Sequence, residues 1–276
     1  MKVYIQTDIE GVAGVVFFEN RKNDSAENLA HRLRVRKLLT NEVNAAALGA
    51  FDAGATTVLI NDNHGCCDSI FIEQLDPRCE VIHGRSTAEH WLPELDELWD
   101  ALVLIGMHAM AGTPKANLPH SQWLVNGGEY LLSEASMAAA LAGDRGIPTV
   151  FISGDQFITE EVQQKVPAIG TAVVKKSLGP YQARSLVPER ACALIRDGVR
   201  MALERRAAIA PFKIPGPVSL NLNESVRGNH NQQEGFSPVL SEDVKGSTMN
   251  EVFTELLARM PWFTTDITLP DGFEYP

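Results

Sequence analysis

Cysteine is scarce. The 276-residue chain has four, at positions 66, 67, 79 and 192, and no Cys-x-x-Cys pair. That pattern excludes a disulfide framework and a thiolate zinc site, and thiols kept reduced in a cytosol are the simplest expectation. Long apolar runs are also missing. None approaches 18 residues, so no transmembrane helix is expected. The chain enters a strand-like Val3-Tyr4-Ile5 at once, with no basic segment ahead of an apolar core. No signal peptide is therefore expected, and the expected location is cytoplasmic. Positive charge is in deficit: 24 Lys plus Arg against 35 Asp plus Glu gives −11. A chain of that sign repels phosphate backbones and anionic bilayers, so neither nucleic acid nor membrane is an expected partner. Gly-x-Ser-x-Gly, the P-loop and Gly-x-Gly-x-x-Gly are absent. With them go the serine elbow and the usual phosphate and dinucleotide cradles.

What is present is an alternation of short apolar runs with helical stripes. Val3–Thr7, Thr56–Ile60, Ala101–Ile105, Thr149–Ile152 and Thr171–Val174 read as strands buried on both faces. Leu39, Val43, Ala46, Ala47 and Ala50 form one helical stripe, with Gly54 placed as a C-terminal stop. Further helices are predicted over Glu134–Ala142, ending at Gly143, and over Glu189–Arg205 behind Pro188. The expected fold class is α/β: three layers, a mostly parallel sheet with helices on both faces. Residues 207–217 carry three prolines and read as a linker. Beyond it, a strand at Val218–Leu222 and a helix around Asn250–Met260 suggest a smaller C-terminal α+β extension. The expected division is a catalytic body over 1–205 and an extension over 206–276.

Polar residues gather where these strands end. Asp8 and Glu10 follow the first strand, His64 the second, His108 the third and Asp155 the fourth. In an open parallel sheet the carboxyl ends share one rim, where ligands bind. Asp8 and Glu10 are two apart, so both can point the same way and would repel without a cation between them. Carboxylates with neutral imidazoles suit Zn²⁺, Mn²⁺ or Co²⁺. More than four donors suggests two metals with a bridging carboxylate. Glu134 opens a helix and His120 sits in a proline-stiffened loop. From the residues alone, the first could be a dipole partner and the second a solvated surface group. His31 reads as part of a solvated basic face with Arg32, Arg34 and Arg36; His83, His90 and His230 lack carboxylate company at metal spacing, and Cys66 and Cys67 read as packing residues.

The motif Thr7-Asp8-Ile9-Glu10-Gly11-Val12-Ala13-Gly14 resembles the opening of the zinc-dependent D-aminopeptidase family. The resemblance continues through Thr40–Asn44, Asn61-Asp62-Asn63-His64-Gly65, Gly106-Met107-His108-Ala109 and Pro119-His120-Ser121. Glu134, Gly146-Ile147-Pro148, Gly154-Asp155 and Val174-Lys175 extend it to about residue 205. It implies two Zn²⁺ per subunit, with Mn²⁺ or Co²⁺ as alternatives, held by Asp8, Glu10, His64, His108 and Glu134, Asp8 bridging. It implies His120 as the catalytic histidine. Asp155 and Lys175 would stand behind the ligands or touch substrate. The implied activity is hydrolysis of N-terminal residues, D-amino acids by resemblance, from short peptides. The implied assembly is a ring-like homo-oligomer, decameric in the typical case. The rim residues by themselves also suit a two-metal amidase or phosphoesterase, or a non-catalytic metal or small-ligand binding protein.

Overall fold

The computed structural model describes residues 1–20, 23, 25–65, 67–84, 91–225 and 236–260. Cys66, His90 and His230 lie outside the described residues. In chain order, β1 (Lys2–Thr7) leads to α1 (Ala26–Asp52), β2 (Thr57–Asn61), β3 (Glu80–Ile82) and β4 (Ala101–Met107). A hairpin of β5 (Gln122–Val125) and β6 (Tyr130–Leu132) precedes α2 (Glu134–Asp144) and β7 (Thr149–Asp155). Then come α3 (Gln156–Lys165), β8 (Gly170–Gly179), β9 (Gln182–Ser185) and α4 (Pro188–Glu204). The tail supplies β10 (Val218–Ser225), β11 (Phe236–Pro238), β12 (Val244–Gly246) and α5 (Met249–Arg259).

The main sheet runs β3-β2-β1-β4-β7-β8-β9, parallel except for the β8–β9 edge pair. Every residue of β4 and β7 is buried, as central strands covered on both faces require. Helices α1 and α4 pack together over one face, and α2 and α3 pack together against β4, β7 and β8. The α/β class expected from the alternation therefore holds. So does the α+β character of the tail, where α5 packs on β10 and β12.

A second, antiparallel sheet runs β11-β10-β5-β6, with β12 also on β10. The tail strand β10 thus pairs with the hairpin inserted between β4 and α2. The hairpin and α3 carried no clear signal in the sequence and are additions to the expected order.

Two expectations need correction. Helix α2 does not end at Gly143, which is helical and buried. A Cβ there would lie 1.7 Å from the Phe212 carbonyl oxygen, so the glycine serves close packing and not a stop. Asp155 does not stand free at the rim. It is the N-cap of α3, its carboxylate accepting from the N–H groups of Phe157 and Ile158.

Candidate metal centre

The strand order reverses at β1. The chain moves from β1 to β2 and β3 on one side, then returns to lay β4 on the other. That switch point opens a crevice beyond the strand ends. Asp8 and Glu10 enter it from β1, His64 from β2 and His108 from β4.

Three glycines let these strand ends close up. A Cβ on Gly11 would sit 1.9 Å from the Met107 carbonyl oxygen, one on Gly106 2.1 Å from that of Asp8, and one on Gly154 2.3 Å from that of Met107. The Gly11 N–H donates to the Gly106 carbonyl at 2.8 Å. Gly106 also takes φ +75°, a conformation side chains resist. The loop after β2 is shaped by Asp62, whose Oδ2 accepts from Ser69 N–H at 2.6 Å and Ile70 N–H at 3.0 Å.

The six side chains converge. His64 Nε2 lies 3.2 Å from Glu10 Oε1. His108 Nε2 lies 3.4 Å from Asp8 Oδ2 and 3.7 Å from Glu134 Oε1. His120 Nε2 is 4.0 Å from Glu134 Oε1, and the His108 and His120 rings stack with centroids 3.6 Å apart. Helix α2 delivers Glu134 from its first turn, behind a capping box made by Ser133 and Ser136.

Three groups have one ligand atom each within 4.8 Å of one another: Asp8, Glu10 and His64; Asp8, His108 and Glu134; and Glu10, His108 and His120. The first two share Asp8. Supporting bonds orient the rings. His108 Nδ1 donates to the Ala109 carbonyl at 2.8 Å, and His120 Nδ1 to that of Leu118 at 3.0 Å. His64 Nδ1 meets Ser69 Oγ at 3.1 Å, and Ser121 Oγ donates to Glu134 Oε1 at 2.6 Å. Each Nε2 of His64 and His108 is thereby turned toward a carboxylate.

The electrostatics ask for positive charge. Asp8 is held well above the usual carboxylate range, by burial and then by Glu10. Burial would raise Glu10 too, but His64 outweighs it and holds Glu10 well below that range. His108 is disfavoured as a cation by burial, yet Asp8 and Glu134 push it up to about 10. The same contest, with Glu10 as partner, puts His64 at about 9. Asp8 Oδ2, Glu10 Oε2 and His108 Nε2 are buried without hydrogen-bond partners. Orphaned carboxylate and imidazole atoms aimed at one another are a donor set that a divalent cation would satisfy.

A family model described as D-aminopeptidase matches residues 1–239. The chain belongs to the D-aminopeptidase family. The membership expected from the motifs holds, and the match runs past the 205 residues that carried the resemblance. D-aminopeptidase from Bacillus subtilis (strain 168) is 26% identical over 260 residues, covering 92% of this chain and 91% of the relative. A solved structure, described as the Zn-dependent D-aminopeptidase DppA from Bacillus subtilis, a self-compartmentalizing protease, superposes with TM-score 0.77 at 24% identity. That likeness covers 94% of this chain and 99% of the other. The same α/β architecture is thus shared along nearly the whole length.

In this family member, Asp155 and Lys175 lie behind the six convergent residues. Both are almost fully buried. Asp155 caps α3 and accepts from the Ser177 hydroxyl. Lys175 donates to the carbonyls of Glu10 and Val15 and to Asn117 Oδ1. Sequence reasoning missed Ser69 and Asn117, and gave no role to Ser121 and Glu42, which stand inside motifs that carry the resemblance. Ser69 and Ser121 left a trace, each lying close in sequence to a histidine already singled out.

Proposed function

We propose that the chain is a metal-dependent aminopeptidase that removes N-terminal residues, D-amino acids above all, from short peptides with two zinc ions. The observation that carries this reading is Asp8, one buried carboxylate shared by two triplets of potential ligands. We assign Asp8, Glu10 and His64 to one ion and Asp8, His108 and Glu134 to the other, Asp8 bridging. Bound divalent ions would polarise the scissile carbonyl and make a water acidic enough to ionise near neutral pH.

His120 is the proposed catalytic residue. Its Nδ1–H is committed to the Leu118 carbonyl, which leaves Nε2 with a lone pair. At 24% side-chain exposure it is the most open of the three site histidines, against 12% for His64 and none for His108. Nε2 would take the proton released as water adds, then return it to the departing amine.

We read residues 1–205 as the metal-binding body and 206–276 as an extension tied to it through β10. Its Bacillus subtilis neighbour is described as a self-compartmentalizing protease, and we extend that to a ring-like homo-oligomer here. A panel of D- and L-aminoacyl p-nitroanilides and dipeptides, with metal analysis of the same sample, tests the whole. Two ions per chain and a D-preference are expected. Turnover of phosphate esters alone, or full activity without metal, would overturn the reading.

A further inference from the structure

Lys175 is among the largest fully buried side chains, an ammonium sealed under the site on β8. Its Nζ donates to the Glu10 carbonyl, to the Val15 carbonyl at 2.7 Å and to Asn117 Oδ1 at 2.7 Å. An ammonium has three N–H groups, and three acceptors take them all.

Those acceptors belong to different parts of the site. Glu10 carries a proposed ligand. Val15 ends the loop that starts at Glu10 and leads toward Phe18, whose ring stands edge-on to His120 with centroids 5.4 Å apart. Asn117 lies in the segment that leads into His120. It is fixed in turn, its N–H donating to Ser177 Oγ at 3.0 Å and its side-chain amide to the Pro180 carbonyl at 2.8 Å. From the α1 side, Glu42 Oε1 accepts the Ala13 N–H of the same loop at 2.9 Å.

We propose that Lys175 is a positioning residue that holds the Glu10 carboxylate and the His120 imidazole in register with each other. The chemistry selects lysine. An apolar side chain would leave three buried acceptors unpaired. Arginine's flat fork of donors cannot converge on acceptors gathered around one point. The inference rests on the metal and His120 roles proposed above.

The test replaces Lys175→Met and, separately, Asn117→Leu. Metal affinity is measured by chelator competition, and kcat and KM on D-alanyl p-nitroanilide at saturating metal. Lys175→Met frees both arms. Metal affinity should weaken roughly 10–100-fold, the usual effect of losing a partner that orients ligands. With metal restored, kcat should still fall about 10²-fold while KM moves little, since a 1 Å error in a reacting group has that effect. Asn117→Leu loosens the His120 arm alone, so kcat should fall with metal affinity near wild type. That second variant keeps the test alive where Lys175→Met does not fold. Unchanged kcat in Asn117→Leu, or wild-type metal affinity and kcat in Lys175→Met, would overturn the proposal. A wild-type protein that binds no metal would sink the metal assignment, and this inference with it. A wild-type protein with two ions beside an unaffected Lys175→Met sinks the Lys175 role alone.

Discussion

Gly11→Ala adds one methyl group at the closest approach in the site. Its Cβ would meet the Met107 carbonyl oxygen at 1.9 Å, where real Cβ atoms keep at least 3.0 Å. The two backbones must therefore part by about 3.0 − 1.9 = 1.1 Å. Gly11 is bonded in sequence to Glu10, and Met107 to His108. The displacement falls on the spacing between two proposed ligands. Overpacking of this kind costs about 1–3 kcal/mol. At roughly 2–4 °C per kcal/mol for a chain near this size, Tm should drop by about 2–12 °C. A 1 Å error at the reacting centre should lower kcat/KM about 10²-fold. Thermal unfolding, bound metal and kcat/KM on a D-alanyl p-nitroanilide check the three effects. Gly179→Ala is the control, because its Cβ would have no atom within 4 Å. A Gly11→Ala protein as stable and active as Gly179→Ala would refute the close-approach argument.

His120→Ala should lower kcat by roughly 10²–10⁴ with metal content intact; loss of metal in that variant would contradict the division of roles. Asp8→Ala should cost both ions by elemental analysis and His64→Ala one, and two ions retained in Asp8→Ala would defeat the bridge. Stripping metal with a chelator should lower Tm, since an ion present at 1,000 times its Kd stabilises by about 4 kcal/mol; identical melting with and without metal would argue against a site formed in the fold. Burial raises Glu42 from 4.5 to about 7. Its contribution to stability is full below pH 4.5 and is lost as pH rises through 7. Glu42→Gln should flatten that part of the stability profile measured by denaturant unfolding between those limits.

Most of the main sheet was legible in the sequence, for a simple reason. Strands buried on both faces need an apolar run at their centre, and Val3–Ile5, Val58–Ile60, Ala101–Ile105 and Val150–Ile152 supply it in β1, β2, β4 and β7. Helix α3 was not legible. Only Ile158, Thr159 and Val162 of Gln156–Lys165 are buried, so its stripe is thin, and Asp155 looked like a rim carboxylate when it was a cap. The β5–β6 hairpin is short and draws part of its pairing from β10, a partner no local pattern reveals.

Asp8, Glu10, His64 and His108 stood out because parallel strands send their carboxyl ends to one edge; Glu134, on a helix, and His120, in a loop, were singled out only by the family resemblance. Lys175 could be read only as a family position. Strand alternation from buried Ala172 and Val174 would turn Lys175 to the other side with Val173. A bulge at Val174, where Gly154 pairs with Val173 but Asp155 with Lys175, shifts that alternation. Lys175 ends up buried beside Val174, and Lys176 takes the exposed place.

The pairing of β10 with β5 has a consequence for the order of events during synthesis. β5 begins two residues after His120 and ends at Val125, while β10 starts at Val218. The ribosome must add 218 − 125 = 93 residues before that neighbour exists. At about 5–20 residues per second this is a wait of roughly 5–20 s. During it, the strand beside the candidate proton carrier has its edge toward β10 unfilled. The segment that carries His120 is thus flanked by a strand whose final pairing comes from a late-made partner, long after β1, β2 and β4 have delivered Asp8, Glu10, His64 and His108.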